Sequence, residues 1–319
     1  MENDILTFKL PKKIDYTFTS CYEILLLESK NGSFEILDLD FSNTLFITLP
    51  GAIYLVFIVH AVVESKKKQN NYFETAITNY SEKTLAMLSN FGSIEMLKLY
   101  GNLKVAKDVE DHSISRVKYW KSLNNLSPKT QSIYWPMSNI PLKLGDRYEQ
   151  NVRSFYGNFI DYFKVILNAG LINSDYLKTV DFIEKYFNKS INEATKNIWD
   201  HSESWGMASI QSTEYTKTTL CLFDFGVGFI NSYVKRKGLY NRDLKSDMEV
   251  LVWLFQEGNT SQSSGNHGHG LSIIQKFIDM TNGTLLISTD SYLLTYTKKR
   301  GLVINQKGYF PGSQIMINF

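Results

Sequence analysis

A short polar helix is the feature that most constrains this chain, because its side chains can support chemistry on one face. Residues 191–204 read INEATKNIWDHSES, and Glu193, Asn197 and His201 recur at steps of four. On an α-helix these steps return to one face, while apolar residues recur on another. A carboxylate and a carboxamide one turn apart can hold the same water or the same Mg²⁺ ion, which prefers hard oxygen ligands. The same pattern is also typical of a solvated face on a surface helix.

Two glycine-containing segments follow this helix. Residues 220–223 form an apolar run that predicts a buried strand ending at Asp224, with Gly226 and Gly228 shortly after it. Glycines at this spacing are typical of a sharp turn or of a close approach to the backbone. Residues 265–274, GNHGHGLSII, then place glycines before an apolar helical pattern. The free N–H groups at such a helix start favour phosphate.

The order of the three segments resembles the ATP-binding domain of the gyrase and histidine-kinase (GHKL) superfamily. The motifs are Glu193 with Asn197, then DFGVG at residues 224–228, and then GHGL at residues 268–271. The additional His201 makes the first motif most similar to that of the anti-sigma-factor serine kinases and their relatives. The resemblance covers about residues 150–319, and it implies a two-layer α/β sandwich of the Bergerat type.

The resemblance also implies the cofactors, ATP and Mg²⁺, and a role for each matched residue. It implies that Glu193 is catalytic, orienting water or accepting a proton, that Asn197 is the metal ligand, and that Asp224 accepts a hydrogen bond from the adenine amino group. Further cofactor contacts are expected from the glycine motifs and from the intervening lid region, at Gly226, Gly228, Thr260, Gly268, His269, Gly270 and Leu271. The polar run around Thr260 is equally typical of an ordinary flexible loop.

The first 104 residues show strands alternating with helices, which predicts a small α/β domain. Residues 34–41 and 72–80 alternate as strands do, residues 52–67 form an apolar helix between them, and Ser81 begins another helix. The pattern around FSNTLFITLPGA is similar to STAS-like domains. We therefore predict a STAS-like interaction or sensing domain at 1–104.

A proline distinguishes this segment from the phosphorylatable STAS-like domains, in which a Ser–Gly pair begins the helix. Here Gly51 matches the glycine, and Pro50 stands in the place of the serine. Proline suits the first turn of a helix, because its missing N–H has no intrahelical partner there. We expect Pro50 to start the helix, Thr48 to lie two residues too early to begin it, and regulatory phosphorylation to be absent.

The whole chain is therefore predicted to be an α/β protein with two domains. Residues 105–146 contain three prolines and are interpreted as a linker, and residues 147–319 are interpreted as the ATPase domain with its leading helices. The content of hydrophobic residues, 43%, and of charged residues, 21%, is that of a globular protein. A net charge of +2 gives no reason to expect nucleic acid as a partner. Cys221 lies within an apolar strand and is expected to be a core residue in a reducing cytosol.

Residues 44–63 could reverse the expectation of a cytoplasmic protein. They form twenty residues without a formal charge, followed by three lysines, and this length can cross a bilayer. Pro50 and Gly51 interrupt the run, and a strand, a turn and a buried helix explain the same residues. We favour a cytoplasmic chain without a membrane span.

Three functions are compatible with these motifs. The first is an ATPase or serine/threonine protein kinase that acts as a regulatory switch in bacterial signalling or defence, with a regulatory or substrate protein as partner and with homodimer formation open. The second is a histidine kinase, but of the two earlier histidines His60 lies in the apolar run and His112 lacks the proline that usually follows a phosphoacceptor. The third is a nucleotide-gated adaptor without kinase activity.

Overall fold

The structure is a computed structural model of the 319-residue chain. It describes residues 4–15, 24–25, 27–28, 32, 34–69, 73–105, 107, 109–110, 132–140, 183–191, 206–213, 216–237, 246–256 and 270–319. The chain has mixed α/β architecture and divides into two compact units. The first unit comprises residues 1–125 with 134–137, and the second comprises 126–133 with 138–319.

The first unit is organised around a parallel three-stranded sheet in the order β1-β3-β5. The strands are β1 (Ile5–Lys9), β3 (Ile36–Asp40) and β5 (Glu74–Thr78), and Leu6 pairs with Leu37. A second, two-stranded parallel sheet joins β2 (Lys13–Ile14) to β4 (Phe46–Ile47). Parallel neighbours require crossover connections, and between β3 and β5 the connection contains the long helix Leu49–Lys68. The predicted strands at 34–41 and 72–80 are confirmed with shorter bounds.

The central helix of the first unit, α1 (Leu49–Lys68), is buried on nearly all sides. All eight residues from Ala52 to Val59 are buried. The helices α2 (Glu82–Asn90) and α3 (Ser93–Tyr100) follow, and α3 packs against α1. Among the described residues, α1 is the one helix long and apolar enough to cross a membrane, and 78% of its apolar window is buried within the protein. Such burial is typical of a core helix.

The start of α1 corrects one prediction and shows why residue 51 is a glycine. The expectation that Thr48 lies too early to begin the helix is wrong, because Thr48 is its N-cap. The Thr48 hydroxyl accepts a hydrogen bond from the N–H of Gly51 at 3.1 Å, and Pro50 occupies the first turn. A Cβ atom on Gly51 would lie 2.2 Å from the carbonyl oxygen of Ile14, so only glycine permits this approach of the backbone. Ser81 caps α2 in the same way, as predicted.

Two side chains of α1 are held by backbone carbonyl groups. Lys66 is fully buried, and its Nζ donates to the carbonyl oxygen of Gly32 at 2.7 Å while it lies 3.9 Å from the centre of the Phe34 ring. Burial lowers the pKa of Lys66. His60 lies with Nδ1 3.2 Å from the carbonyl oxygen of Tyr100, and burial lowers its pKa. The prediction that His60 is a packing residue agrees with this position.

A five-stranded sheet has the order β6-β7-β8-β10-β9, and its strands from β7 to β10 lie in the second unit. Its strands are β6 (Ser132–Ile140), β7 (Gly206–Thr213), β8 (Thr216–Asp224), β9 (Thr284–Thr297) and β10 (Gly301–Asn318). The pairs β7–β8, β8–β10 and β10–β9 are antiparallel. The sequence predicts a strand pair at 206–215 and 218–225, which β7 and β8 confirm. It also predicts four short strands after residue 284, where the structure has two long strands. β6 falls within the predicted linker, and its proline is tolerated because β6 is an edge strand.

Helices cover the β9 side of this sheet. They are α4 (Gly228–Lys237), α5 (Asp247–Leu254) and α6 (Gly270–Thr281). Both α4 and α6 pack against β9, and α5 packs against α4. A π-helical turn at Ile183–Phe187 packs against α6, where Phe187, Phe277 and Phe319 form a cluster of rings whose centroids lie 5.0 to 6.1 Å apart. The sequence also predicts a helical stretch around 248–255 and a helix after Gly270; α5 and α6 confirm both, whereas α4 was not predicted.

Candidate functional site at the end of strand β8

Asp224 is the last residue of β8, and its carboxylate is buried, with 4% of the residue exposed. Oδ1 accepts a hydrogen bond from the N–H of Gly226 at 2.7 Å. This contact closes the turn that leaves the strand. Ser313 lies directly opposite Asp224 on β10 and hydrogen-bonds its carboxylate through both its backbone and its side chain. The strand end therefore presents a carboxylate that three protein donors hold in place.

Burial perturbs the protonation of this carboxylate strongly. It is the largest effect, and it raises the pKa of Asp224 from 3.8 to about 7. The hydrogen bonds from Gly226 and Ser313 act in the opposite direction, and the negative charge of Asp290 adds to the increase. A buried carboxylate that titrates near neutral pH is typical of functional sites.

A polar row crosses the sheet at the level of Asp224. Ser313 pairs with Asp224 on one side and with Thr289 of β9 on the other. The hydroxyl oxygens of Thr289 and Ser313 lie 3.3 Å apart. Residues opposite one another in a sheet share a face, so Asp224, Ser313 and Thr289 point to the same side.

This row ends at the first turn of α4. The Thr289 hydroxyl accepts from the N–H of Phe229 at 2.9 Å, and Oδ2 of Asp290 accepts from the N–H of Ile230 at 3.2 Å. Asn231 donates from Nδ2 to the other Asp290 oxygen at 3.1 Å. A carboxylate at this place satisfies the free N–H groups of the helix start and complements its dipole. The N-terminus of α4 is therefore already occupied by an anion of the protein itself.

Glycine is required at two positions beside these carboxylates, one at the start of α4 and one in β10. Gly228 has φ +79°, and a Cβ atom there would lie 2.8 Å from both carboxylate oxygens of Asp290. Gly312 has φ +89°, and a Cβ atom there would lie 2.1 Å from the carbonyl oxygen of Asp224. The second glycine of the DFGVG motif thus admits Asp290, whereas the sequence analysis assigned it to the cofactor.

Of the remaining predicted site residues, two lie within the described ranges and five lie outside them. Gly270 is the first residue of α6, as the glycine-rich motif predicted, and the side chain of Leu271 is buried within that helix. The other predicted positions, which include the predicted catalytic residue and metal ligand, lie outside the described residues: Glu193, Asn197, Thr260, Gly268 and His269. Their roles stay predictions.

Ser313, Thr289 and Asp290 are not among the site residues predicted from the sequence. Two signals were available for them. Pro311 and Gly312 precede Ser313 shortly before an apolar run, and the four polar residues 288–291 interrupt the apolar pattern of β9. Neither signal reveals which strands pair, and the pairing is what brings these residues to Asp224.

The carboxylate of Asp224 has acceptor capacity left for a ligand. A carboxylate offers about four acceptor positions, so the three hydrogen bonds described above leave capacity for one further donor such as an exocyclic amine. Within the part of the chain that the structure describes, no three His, Cys, Asp or Glu side chains come together to hold a metal. The predicted Mg²⁺ ligands lie outside that part.

Comparisons with known proteins add nothing to this site. No protein-family model matches the chain, and no curated protein matches it. Its assignment therefore rests on the motifs and on the geometry around Asp224.

Proposed function

We propose that residues 147–319 bind ATP with Mg²⁺ as a GHKL-type domain and act as an ATPase or serine/threonine kinase-like switch. One observation carries the proposal. It is the buried carboxylate of Asp224 at a strand end, hydrogen-bonded to the glycine turn that follows it. The motif order Glu193–Asn197, DFGVG and GHGL supports the same function.

Asp224 supplies specificity in this proposal. Its ionised carboxylate accepts a hydrogen bond from the amino group of adenine, which guanine lacks at that position. The bonds from Gly226 and Ser313 fix the orientation of the carboxylate before the nucleotide arrives. A preorganised acceptor loses less freedom on binding. The adenine ring is thereby selected by hydrogen-bond geometry.

The phosphate groups and the metal are assigned to two other elements. The phosphates would lie at the start of α6, which begins at Gly270 of the glycine-rich motif, because the free N–H groups and the dipole of a helix start favour negative charge. The spacing of Glu193 and Asn197 predicts that they share one helical face, where they would act on water and on Mg²⁺ respectively. Bound Mg²⁺ supplies charge neutralisation at the phosphates. With the α4 N-terminus capped by Asp290, the α6 start is the helix terminus assigned to phosphate.

The binding test compares two variants in isothermal titration calorimetry with ATP and Mg²⁺. Asp224→Asn should weaken binding by about 10- to 100-fold, the effect of losing one charge-assisted hydrogen bond. Glu249→Gln is the control, since Glu249 is an exposed carboxylate near the start of α5 in the same unit. Equal ATP affinity of a folded Asp224→Asn protein and of the wild type would refute the assignment.

The chemical test uses radiolabelled ATP. Glu193→Ala should reduce turnover by about 10²- to 10⁴-fold with little change in affinity, because a positioned base acts in the transition state. Asn197→Ala should lose the Mg²⁺-dependent part of binding. Label on an added protein indicates a kinase and free phosphate indicates an ATPase. Binding without turnover would favour the adaptor.

A further inference from the structure

The long hairpin of the second unit folds back on itself. β9 runs over 14 residues from Thr284 to Thr297, and an extended strand of that length spans about 43 Å at 3.3 Å per residue. Both of these terminal residues nevertheless line one cavity of 430 Å³. A cavity of this size cannot reach between the ends of a straight strand. The part of the hairpin between residues 291 and 306, named the distal arm here, therefore returns towards the start of β9.

The bend lies at Asp290. This residue has φ +49°, and the β9–β10 register shifts on both sides of its partner Phe310. Its carboxylate is fixed to the first turn of α4, as described above. At the other end of the distal arm, the hydroxyl of Tyr296 donates to Oδ1 of Asp279, near the end of α6, at 2.9 Å. The returned position of the distal arm is therefore held at both ends.

The cavity that this fold creates is cationic. It lies between the tip of the distal arm and the turn from α6 to β9. Among the described residues of its lining, the charged side chains are Lys298, Lys299 and Arg300 at the tip, and all three are exposed. The ion pairs between described residues do not use these cations. Three neighbouring positive charges without a carboxylate in the lining favour an anion.

The uncharged part of the lining narrows the class of ligand. Thr284 and Thr295 offer hydroxyl groups, and Asn282 offers a carboxamide. Such groups match the hydroxyls of a sugar or polyol, because each can donate and accept. Among the described residues that line the cavity there is no aromatic ring on which a nucleobase could stack. The volume of 430 Å³ lies within the range of about 300–1,000 Å³ that is usual for small-molecule sites.

We propose that this cavity binds the phosphate monoester of a small sugar or polyol. The phosphate lies against Lys298, Lys299 and Arg300, and the hydroxyl groups of the ligand face the threonine and asparagine side chains. The site belongs to the second unit and uses none of the residues assigned to ATP. It gives the chain a second, independent ligand.

Calorimetric titrations at low ionic strength test the proposal, because salt screens exposed charges. The probes are a hexose monophosphate, inorganic phosphate, the unphosphorylated hexose and a short single-stranded DNA. Lys299→Gln with Arg300→Gln should weaken hexose monophosphate binding by about tenfold or more. Thr295→Val should weaken the hexose monophosphate more than inorganic phosphate, and valine suits a strand. Lys189→Gln, an exposed lysine elsewhere in the unit, should have no effect.

Each outcome of these titrations either supports or contradicts the proposed site. Binding of the hexose monophosphate that is lost in the Lys299/Arg300 variant, together with weaker binding of the hexose alone, supports the site. Three results would overturn it: no binding of either phosphate probe up to about 10 mM, equal binding by the wild type and the arm variants, or tighter binding of single-stranded DNA. Circular dichroism establishes that each variant is folded, and the exposed positions of Lys299 and Arg300 make folding of that variant expected.

Discussion

Asp224 and Asp290 are two buried carboxylates that depend on backbone N–H groups. Asp224 accepts from Gly226, and Asp290 accepts from Ile230. Burial raises the pKa of both, the negative charge of Asp290 adds to the increase at Asp224, and that of Asp247 adds to the increase at Asp290. The sequence identified Asp224 because a short apolar run ends there. It did not identify Asp290, whose contacts lie about sixty positions away in the chain.

The pKa of Asp224 predicts a pH dependence of stability. Because its folded value of about 7 lies above 3.8, the folded chain binds this proton more readily than the unfolded chain. The free energy of unfolding should therefore fall as pH rises from about 4 to about 7, by up to about 4 kcal/mol from this group. Asp224→Asn should remove this part of the slope in denaturant titrations between pH 5 and 8.

Glu249→Gln provides the matched control for that measurement, because it removes an exposed carboxylate from the same unit. This variant should retain the slope of the wild type. An unchanged slope in Asp224→Asn would show that Asp224 does not titrate in this range.

Gly228 permits a comparison of two strained glycines. Gly228 and Gly301 both have positive φ, but a Cβ atom at Gly301 meets nothing within 4 Å, whereas one at Gly228 meets the Asp290 carboxylate. Gly301→Ala should cost about 1 kcal/mol of unfolding free energy through φ alone. Gly228→Ala should cost roughly 1–3 kcal/mol more.

Chemical denaturation of both alanine variants measures this difference. Adding Asp290→Ala to each variant should reduce the excess cost at Gly228 and leave the cost at Gly301 unchanged. Equal losses in the two single variants would mean that the carboxylate moves away without cost.

At the scale of elements, helix starts show what sequence patterns can predict. Ser81 lies directly before the helix that it caps, so the start of α2 was predicted correctly from the local sequence. The start of α4 is instead capped by Thr289 and Asp290 of β9, and no local N-cap signal exists for it. The bend at Asp290 is not visible in the local pattern either, because the sequence predicts several short strands where the structure has the two long strands β9 and β10. Helix starts that depend on distant strands cannot be read from local spacing.

The cap of α1 gives a prediction about stability. Thr48→Ala should lower the free energy of unfolding by about 0.5–2 kcal/mol, because the hydroxyl that accepts from Gly51 is removed. Thr48→Ser retains the hydroxyl and should lose much less. Thermal and denaturant unfolding of the two variants provide the measurement. If serine and alanine destabilise equally, the contribution of Thr48 comes from its methyl group.

The hydrogen bonds of Thr44 and Thr48 also predict whether this segment can be phosphorylated. Thr44 is buried and donates to the carbonyl oxygen of Pro11 at 3.0 Å, and Thr48 caps the helix. Neither hydroxyl is presented for transfer, so incubation with ATP and Mg²⁺ should leave residues 44–52 unmodified. Mass spectrometry of peptides from this segment is the check. Phosphate at either threonine in substantial amounts would contradict the expectation of a contact module.

At the scale of the whole molecule, composition and alternation were sufficient for the α/β class, and they were insufficient for strand length and register. β10 contains polar residues between Asn305 and Ser313 that look like a loop in the sequence, yet it continues as a strand. Pairing with β9 at Asn305, Gln306 and Phe310 stabilises this stretch, and pairing with β8 begins at Ser313. Tertiary pairing therefore overrides the local pattern.

The burial of α1 predicts how the full chain behaves with lipid. Synthesised in the presence of liposomes, the chain should remain in the aqueous fraction after alkaline extraction and flotation, because the apolar side chains of α1 are satisfied within the first unit. A known single-span protein serves as the positive control. Flotation of the intact chain with the lipid would establish α1 as a membrane span.

The burial of α1 also has a consequence during synthesis on the ribosome. The helix at residues 49–68 leaves the exit tunnel before β5, α2 and α3, which complete the unit around it, have been made. For that interval an uncovered apolar segment of twenty residues is accessible to the factors that deliver nascent chains to membranes. Translation at about 5–20 residues per second makes the interval a few seconds long. Slowing elongation after Lys68 should therefore increase the capture of this nascent chain by chaperones and targeting factors.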